Sequence, residues 1–207
     1  MSAQSAASEL IRRCRDGESG AREQLFARYQ HYLHVLAQAQ LGKRLRAKCA
    51  PSDLVQQTLL EAHRDFGGFQ GHHEGELLAW LRRILAHNLF NEVRRYGALQ
   101  RDADREVSLD QVRAGVDHSS LMLQHCLAFG GPSPSEIAQN HESAAHLASS
   151  LARLPEDYQT VLLLRVFEEL PAEEVAQRMG RSAGAVRMLQ MRALTALRQE
   201  MEQKTRD

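Results

Sequence analysis

Cysteine, long apolar runs and a leader-like segment are scarce or missing in this sequence, and each shortage excludes a class of protein. Cys14, Cys49 and Cys126 are widely spaced and odd in number, which argues against a disulfide framework or a zinc site. No unbroken apolar run is long enough to span a membrane. Residues 1–20 lack the apolar centre of a signal peptide. We therefore expect a cytoplasmic protein without membrane insertion.

Residues that favour β-strands are also few. Aromatic residues make up only 5% of the chain, whereas Ala, Leu, Arg, Gln and Glu, which favour helices, are abundant. No segment shows the sustained apolar–polar alternation of a half-buried strand. The composition predicts an all-α fold, and 207 residues are enough for one or two domains with their own cores.

The chain has no net charge, because 26 basic residues balance 26 acidic ones, but the charges are segregated along it. Residues 80–105 contain six Lys or Arg and three Asp or Glu, and residues 181–207 contain the same numbers. Residues 106–180, between them, contain 11 acidic and four basic residues. Two separated basic segments could each contact nucleic-acid phosphates, although a segment of like charge is also commonly a solvated surface.

The segment LPAEEVAQRMGRSAGAVRMLQMRALTALR, residues 170–198, has the pattern of two helices joined by a tight turn. Gly180 lies where a left-handed residue ends a helix, and Ser182 is a good N-cap for the next one. The apolar residues of the second helix repeat at helical spacing and should face inward: Val186, Leu189, Ala193 and Leu197. The pattern is typical of a helix-turn-helix that reads the DNA major groove, and an ordinary helical hairpin shares it.

Two further amphipathic segments lie in the first half of the chain. In DLVQQTLLEA, polar residues recur on one side at steps of three or four: Asp53, Gln56, Gln57 and Glu61. In LLAWLRRILAHNLFNEVRRY, basic and amide residues lie off an apolar stripe. Trp80 lies on that stripe, so we expect it to pack in the core rather than to stack on a base.

The segment that follows loses this periodicity. Residues 97–142 contain Gly-Gly, Pro and Ser in one run and are acidic overall. This composition predicts a linker, with one short helix at residues 121–127.

The amphipathic segments resemble the motifs of one protein family, in the same order and at a similar separation. DLVQQTLLEAHRDFGGF together with WLRRILAHNLFNEVRR resembles the second conserved domain of bacterial sigma-70 family factors, in their small extracytoplasmic-function group. LPEDYQTVLLLRVFEELPAEEVAQRMGRSAGAVRMLQMRALTALR resembles that family's fourth domain. The resemblance implies two small helical domains, at residues 8–98 and 143–203, joined by a flexible acidic linker at residues 99–142.

The resemblance also implies a function. Such a protein binds core RNA polymerase and directs it to promoters; its second domain recognises and helps melt the minus-ten element, and its fourth domain reads the minus-thirty-five element. It is not an enzyme and needs no cofactor or metal. The implied partners are promoter DNA, the β′ clamp helices and β flap of core RNA polymerase, and an anti-sigma factor. The linker is expected to run through the active-centre cleft and RNA exit path of the polymerase.

The resemblance assigns roles to individual residues. The polymerase-binding residues are expected to be Asp53, Gln56, Gln57 and Glu61. The minus-ten DNA-binding residues are expected to be Arg82, Asn88, Asn91, Arg94 and Arg95. The flipped minus-ten base is expected near the loop before that helix or near residues 94–101.

The minus-thirty-five DNA-binding residues are expected to be Arg181, Ser182, Ala183, Gly184, Arg187, Met188 and Met191. Arg187 is the main candidate for base readout, because arginine commonly pairs with guanine. Arg181 and the N–H groups at Ser182 and Ala183 should hold phosphate at the positive end of the helix. Met188, Leu189 and Met191 depart from the family, in which many members have basic or hydroxyl residues at these positions.

Two other classes of function stay open from the sequence. An autonomous helix-turn-helix regulator with an N-terminal sensing or dimerisation domain would explain the second half, but it does not need the DLVQQTLLEA face. A hydrolase or metalloenzyme could use His72, His73, Glu74 and Glu76, but adjacent histidines point apart and no further ligand spacing supports a tetrahedral site. For the sigma-factor hypothesis, we expect replacement of Gln57 and Glu61 by lysine to weaken polymerase binding and to spare the fold.

Overall fold

The computed structural model describes residues 6–41, 48–100, 107–128 and 142–204. Throughout these ranges the regular elements are helical, so the all-α prediction is confirmed. The chain divides into two compact units, residues 1–118 and residues 119–207. The narrower domain boundaries expected from the sequence stay predictions.

Four helices and the loops between them form most of the first unit. They are α1 (Ala6–Arg15), α2 (Ala21–Gln40), α3 (Pro51–Asp65) and α4 (Glu74–Gln100), with a short 3-10 turn at Phe66–Gly68. Helix α3 packs against both α2 and α4. The apolar stripe predicted in α4 lies in the core, because Leu81 and Leu85 are completely buried, and Tyr29 and Leu33 of α2 are completely buried as well. Burial of each such aliphatic side chain contributes roughly 1.5–3 kcal/mol to stability.

Helix α5 (Leu109–Ala128) lies where the sequence predicted a linker with only a short helix at residues 121–127. The missed signal is a capping box, in which a side chain at each end of a four-residue segment binds a backbone N–H at the other end. The Gln111 N–H donates to Ser108 Oγ over 3.1 Å, and the Ser108 N–H donates to Gln111 Oε1 over 3.0 Å. The helix predicted at residues 121–127 was too short, because α5 already begins at Leu109.

The first half of α5 packs on the first unit. Its residues Val112 and Val116, one helical turn apart, are buried. Gln40 Nε2 donates to the carbonyl oxygen of Gly115 over 2.9 Å. This part of the expected linker is thus an ordered helix, and residues 101–106 and 129–141 of the same segment lie outside the described ranges.

The second unit is arranged around its last helix. Its further helices are α6 (Glu142–Arg153), α7 (Glu156–Leu162), α8 (Ala172–Met179) and α9 (Ala183–Lys204), and a π-helical segment, Leu163–Phe167, follows α7. Helix α9 packs against α6, α7 and α8. Val186, Leu189, Ala193 and Leu197 of α9 are buried, as their spacing predicted. None of the helices in the described ranges combines the length and apolar character needed to cross a membrane.

The turn between α8 and α9 has the conformation that its residues predict. Gly180 adopts a left-handed conformation with φ of 64°, and its N–H binds the carbonyl oxygen of Ala176. The Arg181 N–H donates to the same carbonyl over 2.9 Å, so the end of α8 is capped. Ser182 Oγ accepts the N–H of Ala185 over 3.2 Å, which confirms Ser182 as the N-cap of α9.

Candidate functional site

The outer surface of α3 is polar except at one position. Asp53, Gln56 and Gln57 are exposed there, as the sequence predicted, and we call these residues together with Leu60 the α3 outer face. The side chain of Leu60 is 72% exposed although it is apolar. Sequence reasoning missed Leu60, although its position three residues after Gln57 places it on the same side of the helix. An apolar side chain within a polar surround is the arrangement found at protein–protein interfaces.

Asn88 occupies a different position from the one expected for a DNA-binding residue. It is 1% exposed and points from α4 towards α3. Its Nδ2 donates to Thr58 Oγ1 over 3.3 Å and to Glu61 Oε2 over 3.2 Å. Its Oδ1 accepts from Gln57 Nε2 over 3.2 Å. The expectation that Asn88 lies off the apolar stripe of α4 is therefore wrong, and its amide joins the two helices.

An Asn88→Ala variant is expected to lower the free energy of unfolding of the first unit by about 1–3 kcal/mol. The change removes the partner of Thr58, a completely buried hydroxyl, and of the polar groups on Gln57 and Glu61. Urea denaturation followed by fluorescence measures the effect, because Trp80 is the sole tryptophan and lies in this unit.

Asn91→Ala is the matched control for this prediction, since Asn91 has the same side chain but lies exposed on the same helix. It should change the stability by no more than about 0.5 kcal/mol. If Asn88→Ala lowered the stability as little as Asn91→Ala does, the buried hydrogen bonds of Asn88 would contribute nothing to the α3–α4 packing.

Arg82 also departs from its expected outward position. Its side chain is only 22% exposed, its Nε pairs with Asp117 Oδ1 over 2.6 Å, and its Nη1 donates to the Tyr32 hydroxyl over 3.1 Å. Burial lowers the pKa of Arg82, but Tyr32 and Asp117 more than offset this effect and raise the pKa overall. The expected outward position of Arg82 is thus wrong, since its guanidinium binds α2 and α5 within the first unit.

The other predicted minus-ten residues, Asn91, Arg94 and Arg95, are exposed near the carboxyl end of α4. The Arg94 guanidinium lies 5.6 Å from the centre of the Phe90 ring, and that of Arg95 lies 5.0 Å from the centre of the Tyr96 ring. The Tyr96 hydroxyl donates to the carbonyl oxygen of Lys48 over 2.9 Å. This α4 surface combines positive charge with two aromatic rings, Phe90 and Tyr96, which were not predicted from the sequence. The side chains of residues 97–101 lie outside the described part of the chain.

The loop before α4 is held by bonds within the protein. Arg15 Nη2 donates to the carbonyl oxygen of Gly71 over 2.6 Å, and its Nη1 contacts His72 Nδ1 over 2.8 Å. The N–H groups of His72 and His73 donate to Glu76 Oε2 over 2.6 and 3.3 Å, and these bonds lower the pKa of Glu76. The residues His72, His73 and Glu76 therefore form an N-terminal cap for α4.

Trp80 packs beside this loop against two phenylalanines. Its ring centre lies 5.0 Å from that of Phe69 and 6.3 Å from that of Phe66. It is half-buried, so its packing role agrees with the prediction. Among the residues that the structure describes, no three His, Cys, Asp or Glu side chains are grouped so that they could hold a metal ion.

In the second unit, α9 exposes four of the predicted DNA-binding residues along one stripe. Gly184, Arg187, Met188 and Met191 are exposed and recur at helical spacing, and we call them the α9 stripe. Arg181 and Ser182 are exposed in the turn, and Ala183 is partly exposed at the start of the helix. The turn thus brings the seven predicted minus-thirty-five residues onto one end and one face of α9.

Both arginines at this end of α9 are paired with carboxylates. Arg187 Nη2 lies 2.7 Å from Glu173 Oε1, and both side chains are more than 60% exposed. Arg181 forms an ion pair with Asp157, whose side chain is 55% exposed. Exposed ion pairs contribute only about 0–1 kcal/mol, so a phosphate or a base could displace either carboxylate.

Comparison with known proteins supports the same interpretation of both units. A family described as "Sigma-70, region 4" matches residues 146–197, which include the helix-turn-helix. The RNA polymerase sigma-H factor of Pseudomonas aeruginosa is 28% identical over 189 residues, covering 91% of this chain and 90% of that protein. The ECF RNA polymerase sigma-E factor of Escherichia coli is 26% identical over 197 residues, covering 95% of both chains.

A shorter match has higher identity. The ECF RNA polymerase sigma factor ShbA of Streptomyces griseus is 47% identical over 70 residues, covering 34% of this chain and 37% of that protein. The matches to the sigma-H and sigma-E factors extend over both units, whereas a separate DNA-binding regulator would need to share only the helix-turn-helix. Together these similarities support a sigma factor of the sigma-70 family, in its extracytoplasmic-function (ECF) group.

Proposed function

We propose that this sigma factor binds core RNA polymerase through the α3 outer face and directs it to promoters, where it helps to melt the DNA and start transcription. The observation that carries the proposal is the exposure of Leu60 among Asp53, Gln56 and Gln57. An autonomous DNA-binding regulator has no need of such a surface. The β′ clamp helices of the polymerase are the proposed partner. The amide and carboxylate groups around Leu60 can pair with basic side chains of that partner.

The α4 surface is proposed to bind the minus-ten element as its strands separate. Unpaired bases expose their ring faces, and they could stack on the guanidinium groups of Arg94 and Arg95, which lie over the Phe90 and Tyr96 rings. Asn91 is exposed on the same helix and its amide could bind a base edge. Asn88 and Arg82 would not contact the DNA, because their polar groups bind other parts of the first unit.

The α9 stripe is proposed to enter the major groove at the minus-thirty-five element. Arg187 would read a base, and Arg181 with the free N–H groups at the start of α9 would hold the DNA backbone. This unit would also contact the β flap of the polymerase. The protein would act in the cytoplasm by binding alone, without catalytic turnover.

An anti-sigma factor would control this protein by binding one of its exposed surfaces. Such a partner would cover the α3 outer face or the α9 stripe, which both expose apolar side chains in the free protein. A protein bound to either surface would block polymerase or DNA without changing the sigma factor's fold.

Transcription by purified core RNA polymerase on a library of promoter fragments tests this function. The full chain added to core polymerase should select a subset of fragments and produce transcripts from defined start points. Core polymerase alone is the control, and it should give no such selection. Selective DNA binding by the chain without core polymerase, together with no binding to the polymerase, would instead establish the autonomous regulator.

A further inference from the structure

Two exposed methionines on α9 are unexplained by the packing of the second unit. Met188 is 56% exposed and Met191 is 62% exposed, although both are large apolar side chains. The core side of the same helix is formed by Val186, Leu189 and Ala193, which are buried. Met188 and Met191 therefore face away from the core, on the α9 stripe beside Arg187.

The spacing of the two methionines suits neighbouring base pairs. They are three residues apart, which places them about 4.5 Å apart along the helix axis at 1.5 Å per residue. Stacked base pairs in DNA are about 3.4 Å apart. Gly184, one turn earlier, has no atom within 4 Å of where a Cβ would lie, so this end of the stripe is open to a close approach.

The chemistry of a methionine side chain restricts what it can read. The thioether cannot make the paired hydrogen bonds by which arginine or asparagine recognises a base. The C5-methyl group of thymine is the distinctive apolar group in the major groove. A flexible, unbranched side chain is well suited to follow its position.

We propose that Met188 and Met191 contact the C5-methyl groups of thymines at neighbouring positions of the minus-thirty-five element, beside the base pair read by Arg187. This inference rests on the proposed function. DNA is favoured over a protein partner because the methionines share one stripe with Arg187, in a helix-turn-helix whose start also exposes Arg181 and the N-cap Ser182. The two methionines would thus recognise thymine by contact with its methyl group and not by hydrogen bonds.

Replacement of thymine by uracil tests the proposal, because uracil pairs identically but lacks the methyl group. The full chain, assembled with core RNA polymerase, first selects minus-thirty-five sequences from a library randomised in that element. Each enriched thymine is then replaced by uracil, and the affinity of the assembled enzyme for the fragment is measured. One lost methyl contact should weaken binding about fourfold, the factor given by about 0.8 kcal/mol per buried methyl-sized group.

Protein variants and a DNA control complete the experiment. Met188→Ser and Met191→Ser should each lose the distinction between thymine and uracil at one position and keep it at the other. Uracil placed between the two promoter elements should have no effect. Enrichment without thymines, or equal binding of uracil at every enriched thymine, would overturn the methyl-contact proposal and leave the proposed function standing. No enrichment of any sequence would contradict the proposed function and this inference with it.

Discussion

A Leu60→Glu variant is expected to bind core RNA polymerase at least about 30-fold more weakly than the wild type while keeping its stability. Leu60 is already 72% exposed in the free protein, so the substitution should change the free energy of unfolding by no more than about 0.5 kcal/mol. In the complex, the apolar contact of Leu60 would be lost, and the carboxylate in its place would have to give up its water. A cost of about 2 kcal/mol corresponds to the 30-fold loss.

Competition between labelled wild-type protein and the variant for core polymerase measures the loss, and Trp80 fluorescence during urea denaturation measures the stability. Leu60→Met is the matched control, since it keeps an apolar side chain of similar size and should bind as the wild type does. Unchanged binding by Leu60→Glu would remove the α3 outer face from the proposed interface.

The structure makes Leu60 a better test of this interface than the two lysine substitutions suggested by the sequence. Gln57 and Glu61 both bind the buried amide of Asn88, so replacing them also disturbs the contact between α3 and α4. Loss of polymerase binding in that variant could come from the packing alone. Leu60 avoids this ambiguity because its side chain extends into solvent.

Arg187→Ala is expected to lose about 1–3 kcal/mol of binding free energy at one base pair of the minus-thirty-five element. The loss should be largest where the base is guanine, because the guanidinium group can donate two hydrogen bonds to its O6 and N7 atoms. Affinities of the assembled enzyme for fragments with each base at each minus-thirty-five position measure this effect. Binding to core polymerase in the absence of DNA should be unchanged.

Glu173→Gln is the control for the Arg187 prediction. It removes the carboxylate that lies 2.7 Å from Arg187 and so should strengthen DNA binding, by the amount corresponding to at most about 1 kcal/mol. Equal weakening by Arg187→Ala on every sequence would indicate a phosphate contact instead of base readout. If Arg187→Ala and Leu60→Glu lost the same activity to the same extent, the assignment of two separate surfaces would be wrong.

The parts of the fold that the sequence predicts best depend on neighbouring residues. The turn between α8 and α9 follows from the left-handed Gly180 and the capping hydroxyl of Ser182, which act within a few residues of themselves. The buried face of α9 follows from a single helical period. The start of α5 was predictable in the same way, because Ser108 and Gln111 have the spacing of a capping box, but the polar composition around them obscured it.

The parts of the candidate site that could not be predicted depend on how helices pack. Asn88 and Asn91 are the same residue type, three positions apart. The spacing of Asn88 from Leu81 and Leu85 places it on the buried side of α4, but the sequence does not show which polar groups of α3 face it there. The contact with α3 buries Asn88 and leaves Asn91 exposed. Arg82 differs from Arg94 for a similar reason, because Asp117 and Tyr32 are brought to it from distant positions in the chain.

The ion pairs of Arg181 and Arg187 also determine how dissolved salt should act on DNA binding by the second unit. A protein cation that replaces mobile cations on DNA makes binding weaken as salt rises, with a logarithmic slope of about −0.9 for each phosphate neutralised. These arginines must first leave Asp157 and Glu173, and the same salt screens those exposed pairs. The two effects of salt oppose each other. Binding by this unit should therefore vary less with ionic strength than its number of arginines suggests.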